Sequence, residues 1–375
     1  MYAAEKLMNF RWVAKVLATH SSYTLTPKDL ADEKLFSELA EIGQFTELAY
    51  TNVVPVDFLF KNQSSLLKAD FPLEGYNALE GSVLVSEFFG KVAHLHGYVA
   101  YRPNTKQLVI STSGTSTAPQ AIQDLRTLPH RHKSRRGLAH SGFWQLYKGI
   151  RPFILDGLRK GIEQYRSDGA IEELIVTGHS MGGAVSYLLL LDQLLVPNDI
   201  LPANLRIKLV AFGAPRPGDA HLADYYRELV DEYRKKNGGD SAFSEYLVKA
   251  YNDGVPALPP LFFGYRHFTR SPLYYDHNHL YHVPPSESEH TLFHVDGASK
   301  SIEYPRGGHN YYNGRDQERL LRRLGWLEKS LAEAAAKNKT KNNSELNDET
   351  WEDVYLERVK RHHGFYSKVK SVFSP

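Results

Sequence analysis

Gly178-His179-Ser180-Met181-Gly182 follows the apolar run LIVT and precedes a stretch with helical spacing. The pattern Gly-x-Ser-x-Gly is short and weak by itself. Its setting is the one a nucleophile elbow needs, a buried strand, a sharp turn and a helix. Side chains larger than hydrogen at Gly178 and Gly182 would crowd that turn. Ser180 is therefore the candidate nucleophile, against the plainer reading of a glycine-rich strand–helix turn with an incidental serine. A serine hydroxyl attacks poorly near neutral pH without a base, and the base needs an orienting acid. On an elbow the three follow one another as Ser, then Asp or Glu, then His.

An acid is expected at the end of a later strand, where open α/β sheets place their sites. Asp253 ends the strand-like EYLVKAY and opens DGVPALPP. Asp219 and Asp276 are alternatives in poorer strand contexts, and an Asp before Gly also folds turns by itself. Of 17 histidines, 267, 277, 279, 282, 290, 294, 309, 362 and 363 follow Asp253. His277, His279 and His282 have the look of metal ligands, but no carboxylate-rich partner set accompanies them, and no metal is expected. His309 lies in a loop before Tyr311, Tyr312 and a helical stretch. His179 adjoins the serine in sequence, so it is expected to pack beside the turn, its ring away from the pocket.

The elements that would carry these residues alternate. Three strand-like runs, GSVLVSEFF, HLHGYVAYR and QLVIST, come first, the last two joined by an RPNTK turn that marks an antiparallel hairpin. From about residue 145 to 260 strand and helix follow one another, which argues a parallel sheet covered on both faces. TPKDLADEKLFSELAEIGQFTELAY reads as one helix with Thr26 as N-cap and Pro27 in its first turn. The expected organisation is an N-terminal segment 1–24, one domain 25–330, a flexible linker 331–350 and an amphipathic C-terminal helix 351–375. That helix would use Trp351, Val354, Tyr355, Val359 and His362.

The whole chain, 375 residues with 42% hydrophobic and 23% charged, supports a substantial core. Its net charge of +2 does not call for nucleic acid as a partner. With no cysteine, thiolate metal sites, cysteine nucleophiles and disulfides are excluded. The N-terminus lacks the long apolar stretch of a secretory signal, and no apolar run reaches membrane-spanning length. Together these lead to an intracellular expectation, in the cytoplasm or peripheral on a membrane or lipid droplet. Two basic segments, HRHKSRR at 130–136 and the tail with Arg358, Lys360, Arg361, Lys368 and Lys370, are candidates for contact with anionic lipid surfaces.

Taken together, HLHGYVAY with VISTSGTS, HSGFWQLY, VTGHSMGGA, LVAFGAPRPGD, YNDGVPALPP and GGHNYY resemble the class 3 lipases, the fungal triacylglycerol lipase family, in the family's order over roughly residues 25–330. The resemblance implies an α/β-hydrolase-type fold, with a mixed, mostly parallel sheet, helices on both faces and a nucleophile elbow. It implies Ser180 as nucleophile, Asp253 as acid, and His309 in the setting of the family's catalytic histidine. It also implies that Gly114–Thr115 is the family's oxyanion pair, Thr115 offering its backbone N–H and hydroxyl. The backbone N–H of Met181 is the second donor. Ser113 stands where relatives carry an arginine, and STAPQAIQDLRTL lacks the family's lid tryptophan. The lack of cysteines sets the chain apart from the disulfide-bearing secreted members and reads as an intracellular branch.

The implied activity is hydrolysis of acylglycerol or related lipid esters through an acyl-enzyme, with no cofactor. Phospholipase A1 and short-chain carboxylesterase chemistry share the same triad. A non-catalytic lipase-like module that binds lipid or protein is the alternative from another class. PALPPLFFGY beside Asp253 is either an acyl-site wall or ordinary core.

Overall fold

A run of strands that alternate or stay apolar throughout builds one eight-stranded sheet: β1 Val83–Phe89, β2 His96–Arg102, β3 Gln107–Thr112, β4 Glu173–His179, β5 Arg206–Phe212, β6 Phe243–Ala250, β7 Leu273–Asp276 and β8 His279–His282. The computed structural model describes residues 16–51, 53–114, 129–166, 171–196, 199–297, 304, 307–312, 314–340 and 350–373. Every strand lies beside its neighbours in the chain, so the spatial order is the order of the sequence. Pairing is parallel from β3 through β7 and antiparallel at both ends. This is the expected mixed, mostly parallel sheet with an antiparallel front.

Successive side chains on a strand face opposite ways, so each parallel strand needs cover on both sides. Leu174 and Val176 of β4 gather with Tyr147, Ile150 and Leu158 of helix α2, Ser141–Gln164, and with Leu188 of helix α3, Met181–Leu189. On the other side lies helix α1, Glu33–Leu48. There the hydroxyls of Thr46 and Thr177 meet at 2.7 Å. Tyr98 and Ser111 donate to the Phe45 carbonyl at 2.5 and 3.1 Å. A fourth helix, α4 Ala220–Lys236, is capped by Asp219, whose carboxylate accepts from the Leu222 amide at 2.8 Å.

Three expectations about elements need correction. Thr26 and Asp29 do form a reciprocal capping box, but over a short 3₁₀ turn, Pro27–Asp29. Leu30 is extended, and α1 starts later, under Asp32, whose side chain accepts from the Leu35 amide at 2.6 Å. His20–Leu25, expected to belong to a plain N-terminal segment, is a strand paired in parallel with Leu292–Val295. The linker expected over 331–350 is helical in its first half, because helix α5 runs Gln317–Thr340. The stretch AEAAAK consists of strong helix formers and prolongs it. The remaining linker positions 341–349 lie outside the described residues.

The chain divides into two units, Met1–Tyr50 with Gly81–Asp316, and Thr51–Glu80 with Gln317–Pro375. The second is built from α5, helix α6 Trp351–Phe373, and two short helices, Val56–Lys61 and Gln63–Leu66. Val354, Tyr355 and Val359 of α6 are buried. Trp351 meets Phe58 and Phe71 edge-on, and Tyr355 stacks on Phe71. Arg358 pairs with Glu333 at 2.9 Å. No helix among the described residues is long and apolar enough to cross a membrane.

Candidate active site

β4 is buried along its whole length and ends at Ser180, which sits at φ 58°, ψ −128°. This is a backbone region that non-glycine residues rarely occupy, at a cost of about 1–3 kcal/mol. Two hydrogen bonds hold it there. The Ser180 amide donates to the Phe212 carbonyl at 2.8 Å, and the Gly183 amide to the Ser180 carbonyl at 3.0 Å. Gly182 allows the turn: a Cβ there would strike the backbone of Thr112 and Ser113 at the end of β3. Met181 opens α3, and first-turn N–H groups have no acceptor within their own helix. Gly114 lies against the Ser180 side chain and the Tyr50 hydroxyl. Thr115 itself, with the segment through 128, lies outside the described residues.

Asp253 follows β6 through a turn in which Asn252 takes a left-handed conformation at φ 62°. The carboxylate is fully buried, which demands hydrogen-bond partners. Oδ1 accepts from the Val255 amide at 2.9 Å. Oδ2 accepts from His309 Nδ1 at 3.0 Å and, by a short bond, from the Tyr312 hydroxyl. Burial, and then the Asp253 charge, hold the Tyr312 phenol far above its usual range, so it stays a donor. Arg216 braces the same loop. Its amide donates to the Leu258 carbonyl at 2.7 Å and its guanidinium to the carbonyls of Ala257 and Pro259 at 2.5 and 2.9 Å.

His309 is buried, and its loop is tied to the acid's loop where the Gly308 amide donates to the Asn252 carbonyl at 2.9 Å. The stacked rings of Tyr304 and Tyr311, 3.8 Å apart, flank it. With Nδ1–H directed at Asp253, Nε2 carries the lone pair, the tautomer a general base requires.

The other residues weighed from sequence are engaged elsewhere. Asp219 caps α4 and Asp276 pairs with His277 at 2.5 Å. His267 is buried against the Pro256 carbonyl at 3.0 Å; burial, then the charges of Lys249 and Arg216, hold it well below the usual histidine range. Among the described residues no three His, Asp or Glu converge as metal ligands. His179 is packed beside the turn, but its ring is not remote: it lies 4.4 Å from the His309 ring. PALPPLFFGY divides, with Pro256 to Pro259 buried and Phe262 and Phe263 exposed at 78% and 67%. It is therefore not uniform core. Tyr50 and Tyr312 were not singled out for roles in the site. Tyr312 had a weak signal in its spacing three residues after His309; Tyr50 had none.

Lys249 shows what the β6 strand tolerates to reach Asp253. It is fully buried, donates to the Ser288 and His290 carbonyls at 2.5 and 2.8 Å, and is pushed down by burial to about 7. An unfolded lysine titrates near ~10.4. Between those values the unfolded chain binds more protons, so this group makes stability rise as pH increases from 7 toward 10. In Lys249→Met that part of the slope is expected to vanish. Urea unfolding of both proteins at pH 7, 8 and 9 measures it, and parallel slopes would remove the assignment.

The arrangement has counterparts among known proteins. The family described as Lipase (class 3) matches residues 109–263. Over that stretch the chain is similar to the class 3 lipases. The matched stretch holds Ser180 and Asp253. A secreted mono- and diacylglycerol lipase 2 of Gibberella zeae is 27% identical over 62% of this chain and 60% of its own. A secreted mono- and diacylglycerol lipase A of Penicillium cyclopium is 30% identical over 46% and 49%. The chain thus spans about half to three fifths of the length of these relatives. In structure it resembles a triacylglycerol lipase whose catalytic centre is a serine protease triad, with TM-score 0.58, 22% identity, and 78% and 98% of the two chains covered. It also resembles the native propeptide complex of Rhizomucor miehei lipase, with TM-score 0.57, 20% identity, and 81% and 92% covered. The fold is that of the α/β hydrolases.

The intracellular expectation is overturned here, since the similar mono- and diacylglycerol lipases are named as secreted. Lack of cysteine is a poor guide to compartment in a chain of this size, whose core is large enough to dispense with disulfides.

Proposed function

We propose that this chain is a serine ester hydrolase acting on acylglycerols or related lipid esters. The observation that carries the reading is the buried Asp253–His309 bond beside a serine held in a strained strand–helix turn. His309 Nε2 takes the Ser180 proton as Oγ attacks the ester carbonyl, while Asp253 holds the tautomer and balances the imidazolium. The oxyanion is met by the Met181 amide and by Thr115. His309 then protonates the leaving alcohol, and water activated at the same nitrogen releases the acid from the acyl-enzyme. The names of the relatives support a glyceride substrate and an extracellular site of action. Hydrolysis of esters varied in acyl length and head group, with Ser180→Ala as blank, tests the substrate. A flat profile that favours acetate would replace the lipase reading with a short-chain esterase.

Peripheral contact with a lipid surface is part of this proposal. Phe262 and Phe263 lie side by side, 4.5 Å between ring centroids, on a solvent-facing turn. Of the nearby basic segment, Lys133 is taken up by Asp192 and Arg136 by Glu228, while Arg131 and Arg135 are exposed. Those two strand regions belong to one small sheet in the order Tyr265–Arg266, Gly218–Asp219, Leu138–His140, Pro129–Arg131. Phe262→Ser with Phe263→Ser is expected to lower the rate on emulsified glyceride several-fold and to leave a dissolved short ester untouched. Equal rates on the emulsion would remove the contact.

A further inference from the structure

We infer that His179 is a positioning residue for the general base, and that Tyr50 sets its tautomer. The inference rests on the reading of Ser180, Asp253 and His309 given above. It concerns a residue that sequence order alone consigns to packing.

His179 has two ring nitrogens and both are engaged. Nε2 lies 2.6 Å from the backbone carbonyl of His309. A carbonyl only accepts, so Nε2 carries the proton and donates. Nδ1 lies 2.5 Å from the Tyr50 hydroxyl. In the neutral ring Nδ1 must accept, so Tyr50 donates. The chain of donors therefore runs one way, from Tyr50 at the end of α1, through His179 beside the nucleophile, to the main chain of the base. Tyr50 is itself anchored, because the carbonyl before it, Ala49, accepts from His96 Nδ1 at 2.6 Å.

What the bond to His309 does follows from where it acts. The Asp253 contact orients the ring of His309. The Gly308 amide, donating to Asn252, holds the main chain just before it. The His179 bond holds the main chain just after it. Beyond that point the chain continues through Asn310 to Tyr312, the hydroxyl donor to Asp253. Loss of the tie frees both the base and the acid's second donor.

Charge matters as well as geometry. The titratable groups facing His179 are Tyr50, His309 and Tyr312, whose rings lie 5.5, 4.4 and 5.6 Å away. Burial, and then the His309 charge, hold the His179 imidazole well below the usual histidine range. A neutral ring at this distance lets His309 take up the serine proton. A second cation there would oppose it.

His179→Leu fills the space but cannot donate. His179→Gln keeps an N–H for the His309 carbonyl and an oxygen for Tyr50. Small misplacement of a reacting group costs on the order of 10²-fold. His179→Leu is therefore expected to lower kcat roughly 10- to 100-fold with KM within about twofold, and His179→Gln to recover most of the loss. The downfield proton resonance of His309 Nδ1–H should broaden in the leucine variant and sharpen again in the glutamine variant, a signature that general loosening of the fold would not restore. If the leucine variant does not fold, Tyr50→Phe, which removes one hydroxyl, is expected to lower kcat several-fold at constant KM. A folded His179→Leu with parental kcat, a glutamine variant no better than leucine, or an unaffected Tyr50→Phe overturns the inference. Ser180→Ala run alongside separates the two levels. If it is inactive while His179→Leu is fully active, only the positioning role fails; if it retains parental activity, the hydrolase reading itself fails.

Discussion

Ser180→Ala and His309→Ala are each expected to lower kcat by roughly 10⁵- to 10⁶-fold, and the double variant no further. In the proposed mechanism the two act as one device. Without Nε2 at His309 nothing takes the proton from Ser180, and without the hydroxyl the base has nothing to deprotonate. The residual rate would come from oxyanion donors and substrate binding alone. Turnover of a glyceride and of a chromogenic ester measures the loss. A fluorophosphonate probe measures the nucleophile separately: the parent should be labelled at Ser180 and His309→Ala only slowly. Rapid labelling of folded His309→Ala would mean that another group activates the serine.

Asp253→Asn is expected to cost about 10⁴-fold in kcat with the fold intact. The hydrogen bonds around this side chain say why. Val255 N–H points at Oδ1, while His309 Nδ1 and the Tyr312 hydroxyl both point at Oδ2. An asparagine has one acceptor oxygen. The Val255 amide is fixed backbone and cannot become an acceptor, so the oxygen is drawn to it and the NH₂ faces His309 and Tyr312. Tyr312 adapts by rotating its hydroxyl. His309 adapts by moving its proton to Nε2, and in that tautomer it cannot receive the serine proton. Steady-state kinetics beside thermal unfolding will separate this from damage to the fold. A variant that keeps more than a tenth of parental kcat would contradict the proposed role of Asp253.

The candidate site was legible in sequence where its proposed chemistry needs special backbone. The apolar run into Gly178 and Gly182 marks the turn because few residues fit there, and the Asp-Gly with its prolines marks the end of β6 for similar reasons. The sheet was legible through its apolar runs and the hairpin at Lys106, which closes at φ 51°. Contacts between distant residues left no such trace. Tyr50 and His179 are 129 positions apart, and neither has neighbours that signal the bond. The position of α1 was misjudged because Thr26-Pro27-Lys28-Asp29 has every local mark of a helix start and is one, of a shorter helix. The polar composition of 331–350 hid the continuation of α5, because helix propensity and solubility favour the same residues there.

The second unit takes its residues from both ends of the long insertion that is the sheet. During synthesis, Phe58 and Phe71 emerge before the sheet, and the aromatic face of α6 that covers them emerges after it. Trp351 lies 280 positions after Phe71, the ring it meets edge-on. At about 5–20 residues per second, that gap is a delay of roughly 14–56 s in which those rings lack the cover of α6. The interval in which these rings stay open to other apolar surfaces is therefore set by connectivity rather than by stability. Loss of α6 would make that interval permanent.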